Sequence, residues 1–300
     1  METKNNWKAW LYLAPMLLLM SVFTFYPLIN AFIISFYKGY MPLRNTVEGF
    51  TLLGNYLVIL KRPEFWNAVK NTFVIAFVSV PISIFLSLLI STALKSIPKL
   101  TKFFQTIFFL PYVTNAIAVG MTFAVMFNKT YGLVNLILGW FGITAIDWIG
   151  GTSNWGTQMT ALLVFTIWES LAFKILVFTS GMQNIDKQYY DAAKIDSASK
   201  WTVFRRITVP LLSPIILYIS ITSMIGALKA YNTVIGLFGT KMGNPSYSMI
   251  TIVAFVYKFR AELASKGYYS YAAAAAIILF LITVTFSLIQ GVVAKKRVHY

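Results

Sequence analysis

The chain has 300 residues, 58% of them hydrophobic and 11% charged. A soluble domain carries about 25% charged residues, so the composition belongs to the membrane class. There is no cysteine and one histidine, His299; this excludes disulfides, thiolate metal sites and thiol catalysis, and leaves no material for a histidine-based metal centre or triad. The net charge of +16 is spread over the loops without a long basic run, as expected of helix-end lysines and arginines rather than of a nucleic-acid-binding surface.

Six apolar stretches are each long enough to cross a bilayer, which takes about 20 residues. They predict an all-α membrane protein with one transmembrane domain over 1–300 and spans near 10–37, 68–94, 104–128, 157–182, 211–238 and 270–294. The first follows Lys4 and Lys8, as the core of a signal peptide would. Its apolar run outlasts an h-region of about 7–15 residues, however, and no small-x-small cleavage site follows, so it is read as a retained helix. Backbone groups in lipid must bond internally, so the spans are expected to be helical. Pro15, Pro27, Pro81, Pro111 and Pro214 are expected to kink them rather than break them.

Between the third and fourth spans, residues 131–141 predict a short interfacial helix. Trp140, Trp148 and Trp155 fit an aromatic belt more readily than ligand contacts. An even number of spans puts both termini on one side. The segments facing the same side as the termini hold slightly more Lys and Arg, with Lys95, Lys99 and Lys102 in one short loop and Lys295-Lys296-Arg297 at the end. Both termini are therefore expected in the cytoplasm.

The segment between the fourth and fifth spans, residues 184–210, differs from the other loops. Good helix formers over 187–196 present a small-residue face at Ala192 and Ala193. Asp196 is positioned to cap a second short helix. Phe204, Ile207 and Leu211 form an apolar stripe at i, i+3 and i+7 that leads toward the fifth span, and Pro210 ends or bends the run. The expected product is a helix–turn–helix on the cytoplasmic face.

This segment resembles the EAA loop of binding-protein-dependent importer permeases, whose pattern is E-A-A-x-x-D-G-A followed by F, I and P at fixed offsets. Asp191-Ala192-Ala193, Asp196, Ala198, Phe204, Ile207 and Pro210 match by spacing. Asp191 stands where the family has Glu, and Ser197 stands where it has Gly; the serine puts a Cβ at a turn where glycine reaches positive φ without strain. Leu13-Ala14-Pro15, Phe25-Tyr26-Pro27, Leu110-Pro111, Ile167-Trp168, Gly181-Met182-Gln183-Asn184-Ile185, Pro245, Tyr257-Lys258 and the run Gly267 to Ala274 are similar to the carbohydrate-uptake branch of glycerol-phosphate and maltose type. The resemblance covers nearly the whole chain.

The resemblance implies a type I ABC importer permease that passes a sugar delivered by an extracytoplasmic binding protein. It implies a second, paralogous permease and two ATPase subunits as partners, and the loop as the coupling element that docks on an ATPase. Ala192 and Ala193 would permit close approach, and Asp191 would offer a carboxylate to a basic partner. The family's substrate path corresponds here to Trp168, Glu169 and Phe173 in the fourth span and Ser223, Gly226, Lys229 and Ala230 in the fifth, with Asn232 beside them. No glycine is followed by lysine, so the chain lacks the phosphate-binding G-x-x-x-x-G-K-[ST] loop. ATP and its Mg are left to the partner ATPase, and no cofactor or metal is expected on this chain.

Glu169 and Lys229 carry opposite charges in adjacent spans, and two compatible readings are open: contact with substrate, or an ion pair that ties two helices. Rival classes have less support. A channel or secondary transporter calls for inverted repeats, and a membrane enzyme for clustered His, Asp or Cys at one depth. A family member could also import another solute, such as glycerol phosphate or a polyamine. The topology is testable because the chain has no cysteine. Lys194→Cys is expected to react with an impermeant thiol reagent only after permeabilisation, and Tyr131→Cys in intact cells. Labelling of Lys194→Cys from outside overturns the orientation.

Overall fold

The computed structural model describes residues 6–42, 44–97, 101–261 and 268–297. Lys4, Lys99, Lys266, Gly267 and His299 lie outside the described residues. The chain is helical almost throughout and divides into two compact units, Met1–Phe65 with Ala254–Leu281 and Trp66–Val253 with Ile282–Tyr300.

In the first unit, α1 (Asn6–Met20) and α2 (Tyr26–Ile34) join through a π turn into one apolar span, Trp7–Ile34. Its side chains are exposed on every face, as in a helix bathed by lipid. A small hairpin follows, pairing Tyr37 with Phe50 and Lys38 with Gly49. Buried Asn55 in α3 (Gly54–Leu60) donates to the carbonyls of Ser35 (2.7 Å) and Tyr37 (2.9 Å), which fixes where the span ends. α4 (Pro63–Val74) starts with proline and an acidic residue, Glu64, in its first turn, both favourable at a helix N-terminus. Within this unit Glu64 pairs with Lys258 at 3.1 Å, and Phe65, Phe255 and Phe259 form a buried ring cluster.

In the second unit, α4 continues through a π turn into α5 (Val80–Lys95), so that Pro63–Lys95 is one apolar run. α5 packs along α9 (Trp155–Gln183). Ser79, Ser83, Ser87 and Ser91 recur every fourth residue and are all buried. Residues four apart share a helix face, and small side chains there let two membrane helices approach closely. Leu88, Phe178, Met182, Phe204, Leu212 and Ile219 extend this seam into an apolar core.

Four of the expected spans are long helices: Trp7–Ile34, Pro63–Lys95, Trp155–Gln183 and Tyr269–Val293, the last within α16 (Tyr269–Arg297). The other two are broken, against the expectation of kinks. The third runs as α6 (Thr101–Val113) and α7 (Ala116–Met126), bent by 104°. The break is a helix cap inside an apolar run. Asn115 adopts extended backbone, and its side-chain oxygen accepts from the N–H groups of Ile117 (2.9 Å) and Ala118 (3.4 Å). The fifth is split into α13 (Ser213–Leu228) and α14 (Asn232–Phe238) at residues 229–231, where Thr251 donates to the freed carbonyl of Ala230 at 2.6 Å.

Three prolines sit just past a π turn: Pro27 after Ser21–Phe25, Pro81 after Ile75–Ser79 and Pro210 after Phe204–Thr208. Proline lacks the N–H and crowds the carbonyl four residues back; a wider i→i+5 turn relieves both. The π turn at 204–208 corrects the expected stripe. The extra residue moves the buried face to Phe204, Thr208 and Leu212, and Leu211 is exposed. Pro210 lies inside α12 (Val209–Leu211), and the chain bends two residues later, at Leu212.

The loops outside the helices are held by buried amides. In α8 (Leu133–Trp140), the short helix expected over 131–141, Asn135 donates to the carbonyl of Ile146 and accepts from the Trp148 indole at 3.0 Å. Trp155 donates to Asn71 at 2.8 Å with the Lys70 ammonium over its ring. Trp148 and Trp155 therefore brace loops, whereas Trp140 is 76% exposed. Asn71 donates to the carbonyls of Ser248 and Ile250, and Gln158 accepts from the Asn244 N–H and the Ser248 hydroxyl, so buried side chains hold the turn at 242–250. Burial pushes the Asp147 carboxyl up, but hydrogen bonds from Thr152 and Gly150 and the charge of Lys129 outweigh it and hold the group below its usual range.

α7 and α14, the pieces that follow the two breaks, cross backbone to backbone at Gly120 and Gly236. A Cβ on Gly120 would lie 2.6 Å from the Gly236 Cα. Gly120→Ala is expected to lower thermal stability, by about 1–3 kcal/mol for an overpacked contact. Gly226→Ala, with open space around the new Cβ, is expected to leave it unchanged or slightly raised. Thermal unfolding of the purified protein in detergent compares the two.

Candidate functional site

The second unit holds an open cavity of about 480 Å³ lined by α6, α9 and α13, with residues from both helix breaks. Small-molecule sites span about 300–1,000 Å³. Seven of the eight expected path residues line it: Glu169, Phe173, Ser223, Gly226, Lys229, Ala230 and Asn232. Trp168 turns elsewhere. It packs on Phe123 of α7 at 5.0 Å between ring centroids and borders a second, apolar hollow with Met126. Glu169 and Trp168 are adjacent on α9, roughly 100° apart around the helix axis, so they cannot face one cavity equally.

Sequence reasoning missed several lining residues. Tyr112 stacks on Phe173 at 5.4 Å and 22°, forming an aromatic wall. Thr114, Thr166, Thr222 and Thr233 add hydroxyls. The wall resembles the apolar faces and convergent polar groups of small-molecule sites. The only advance signal for it was aromatic residues beside Pro111 and threonines inside apolar runs, which also suit plain helix packing.

The expected alternative of a Glu169–Lys229 ion pair is not realised: among the described residues no ion pair within 4.0 Å joins them. Lys229 instead terminates α13, where the carbonyl end of the helix dipole favours a cation. Lys174, 3% exposed, donates to Ser83 of α5 at 2.7 Å.

The coupling loop forms α10 (Lys187–Ile195), a turn, and α11 (Lys200–Val203) running into α12. Asp186 caps α10 by accepting from the Gln188 N–H. Asp196 does not cap the second helix, as expected from sequence; it ends α10, and Ser199 caps α11 by accepting from the Thr202 N–H at 3.2 Å. The turn is a Schellman motif. The Ala198 N–H reaches the Ala193 carbonyl (2.9 Å), the Ser197 N–H reaches that of Lys194 (3.0 Å), and Ser197 has φ +51°. The serine thus keeps the left-handed conformation usually given to glycine, with the strain of its Cβ.

The expected small-residue face also divides. Ala193 is 6% exposed and packs into the chain, while Ala192 is exposed beside Asp191. Lys194 donates to Asp191 at 2.8 Å and holds its carboxyl below the usual range. Tyr189, Ile195 and Trp201 stand exposed on the same loop. Tyr190, not anticipated, anchors it: the Lys95 ammonium at the end of α5 lies 3.5 Å from its ring, and its hydroxyl meets Thr208 at 3.3 Å.

Long apolar helices, broken spans and a largely apolar cavity with a few charged and hydroxyl-bearing side chains define a multi-pass membrane protein of transporter type. The chain belongs to the family described as binding-protein-dependent transport system inner membrane component, whose sequence pattern matches residues 51–299. It is 32% identical over 292 residues to the lactose transport system permease protein LacF of Rhizobium radiobacter, covering 96% of this chain and 94% of that one. It is 30% identical to the arabinooligosaccharides transport system permease protein AraP of Halalkalibacterium halodurans, covering 93% and 84%. Its fold matches, with a TM-score of 0.81 and 19% identity over 98% of this chain and 96% of the other, a chain in the crystal structure of a bacterial ABC transporter involved in the import of the acidic polysaccharide alginate. The fold is that of a type I ABC importer permease.

Because Glu169 and Lys229 do not pair, their effects on stability should be independent. In a double-mutant cycle of Glu169→Gln and Lys229→Met followed by thermal unfolding, the coupling energy is expected to stay within about 0.5 kcal/mol. A larger favourable coupling restores the ion-pair reading.

Proposed function

We propose that this chain is one of two permease subunits of an ATP-driven importer, and that the cavity of its second unit is the path of a saccharide handed over by an extracytoplasmic binding protein. The observation that carries this reading is the cavity itself: an aromatic pair, Tyr112 on Phe173, lining it together with hydroxyls and charged groups inside a membrane unit. Aromatic faces suit the C–H faces of sugar rings, and threonine, serine and carboxylate groups suit their hydroxyls. The kinship to permeases named for lactose and arabinooligosaccharides supports a saccharide. The second permease and two ATPase subunits complete the assembly, and those subunits bind ATP and Mg. Both termini and residues 184–210 face the cytoplasm.

In this reading α10 is the coupling element. Its outward face offers Ala192 for close approach, with the Asp191–Lys194 pair and exposed Tyr189, Ile195 and Trp201 around it. Tyr190 and Lys95 connect it to the ends of the helices that wall the cavity. A docking subunit that displaces α10 therefore displaces α5 and α9.

The test is Asp191→Lys combined with Ala192→Trp, which alters the exposed face and spares buried Ala193. Uptake by the complete importer is expected to fall at least tenfold while the protein still inserts and the complex's substrate stimulation of ATP hydrolysis is lost. Normal substrate-stimulated hydrolysis in the reconstituted variant rejects the coupling role.

A further inference from the structure

We infer that the solute carried through this cavity bears a negative charge, a carboxylate or a phosphate ester on a saccharide; the inference rests on the cavity being the transport path. Three charged side chains line the cavity: Glu169, Lys174 and Lys229. Two cations against one carboxylate leave a positive excess inside a membrane unit. A charge at membrane depth usually faces a partner or a water-filled cavity, and removing it from water without a partner is costly.

Pairings within the chain do not discharge the excess. Among the described residues neither lysine lies within 4.0 Å of Glu169. Glu169 and Lys174 are five positions apart on α9, roughly 140° around its axis, and so lack the i, i+3 or i, i+4 spacing of a same-face pair. Lys174 is almost fully buried, and among the described residues its hydrogen-bond partner is the single hydroxyl of Ser83. An ammonium has three donors, so its bonding capacity is not exhausted. The hydroxyl oxygens of Thr166 and Thr233 are also buried at the cavity wall without a hydrogen-bond partner.

The set is therefore rich in donors and positive in charge. A neutral sugar could satisfy the hydroxyls but would leave the charge excess as it was. An anionic group would accept from the ammonium and hydroxyl donors and balance the charge, through charge-assisted hydrogen bonds. The stacked Tyr112 and Phe173 rings would hold the sugar body beside it.

The experiment measures binding to the complete importer in detergent by calorimetry, with matched probes: digalacturonate against digalactose, and glucose 6-phosphate against glucose. At least one anionic probe is expected to bind tenfold or more tightly than its neutral match. Lys229→Met and Lys174→Gln are expected to abolish that preference, and Lys229→Arg to keep it. Lys229 is solvent-exposed, so its variants remain informative if Lys174→Gln misfolds. The inference is overturned if the neutral member of each pair binds as well as or better than the anionic one, or if the preference survives Lys229→Met. If neutral probes bind and stimulate ATP hydrolysis, the importer reading stands while the anionic inference falls. If no probe of either kind binds or stimulates, the saccharide reading and the anionic inference fall together.

Discussion

The packing of α5 on α9 is the contact on which the rest of the second unit depends. Lipid chains are as apolar as leucine, so two membrane helices gain little from hiding apolar surface against each other. They associate through close fit and interhelical hydrogen bonds. The row of four serines, Ser79 at the end of the π turn and Ser83, Ser87 and Ser91 in α5, supplies both. Their size lets the backbones approach, and Ser91 donates to the Ile175 carbonyl of α9 at 3.2 Å. Ser83, in the same row, accepts from Lys174, so the device that joins the helices also fixes a charge at the cavity. Along α9, Phe173 stands next to Lys174, and Ser170 and Glu169 about one turn away, all at the cavity wall. At the other end of the seam Lys95 meets the Met182 carbonyl and the Tyr190 ring, bringing the loop helix into the same packed body.

Much of this was legible in the sequence, and the limits have physical causes. Hydropathy located the spans because twenty apolar residues in a row leave few alternatives. It could not show that the third is broken, because that break adds no charge; at the fifth, Lys229 reads equally as a substrate contact or an ion-pair partner. Asn115 is one polar residue in an apolar run, and only its capping geometry makes it a helix start. The loop motif was readable by spacing, yet its geometry depended on details that spacing does not carry. The π turn moved the buried position from Leu211 to Leu212, and the cap fell to Ser199 rather than Asp196.

The cavity was legible in part for a related reason. Glu169, Phe173, Ser223, Gly226, Lys229 and Asn232 stand together as expected, but Trp168 is directed to α7. Tyr112 and the threonines passed unnoticed because aromatics and hydroxyls are common in membrane helices for packing alone. Lys174 is a charged residue within the fourth span. Its partner could not be named, since Ser83 lies 91 residues away and a serine carries no sign of what it will accept. The serine row was open to a four-residue periodicity search, the membrane counterpart of a small-xxx-small pattern.

The wide turns before Pro27, Pro81 and Pro210 have an evolutionary meaning as well as a steric one. Within a regular helix, gaining or losing one residue swings everything beyond it by about 100° and carries buried side chains into lipid. A π turn already holds the surplus residue, so losing one there returns the chain to ordinary α geometry. These three places, two in the first two spans and one in the coupling loop, are where a helix of this protein can record a one-residue insertion in its ancestry, and where a gap opened in aligning it with its relatives corresponds to a physical event.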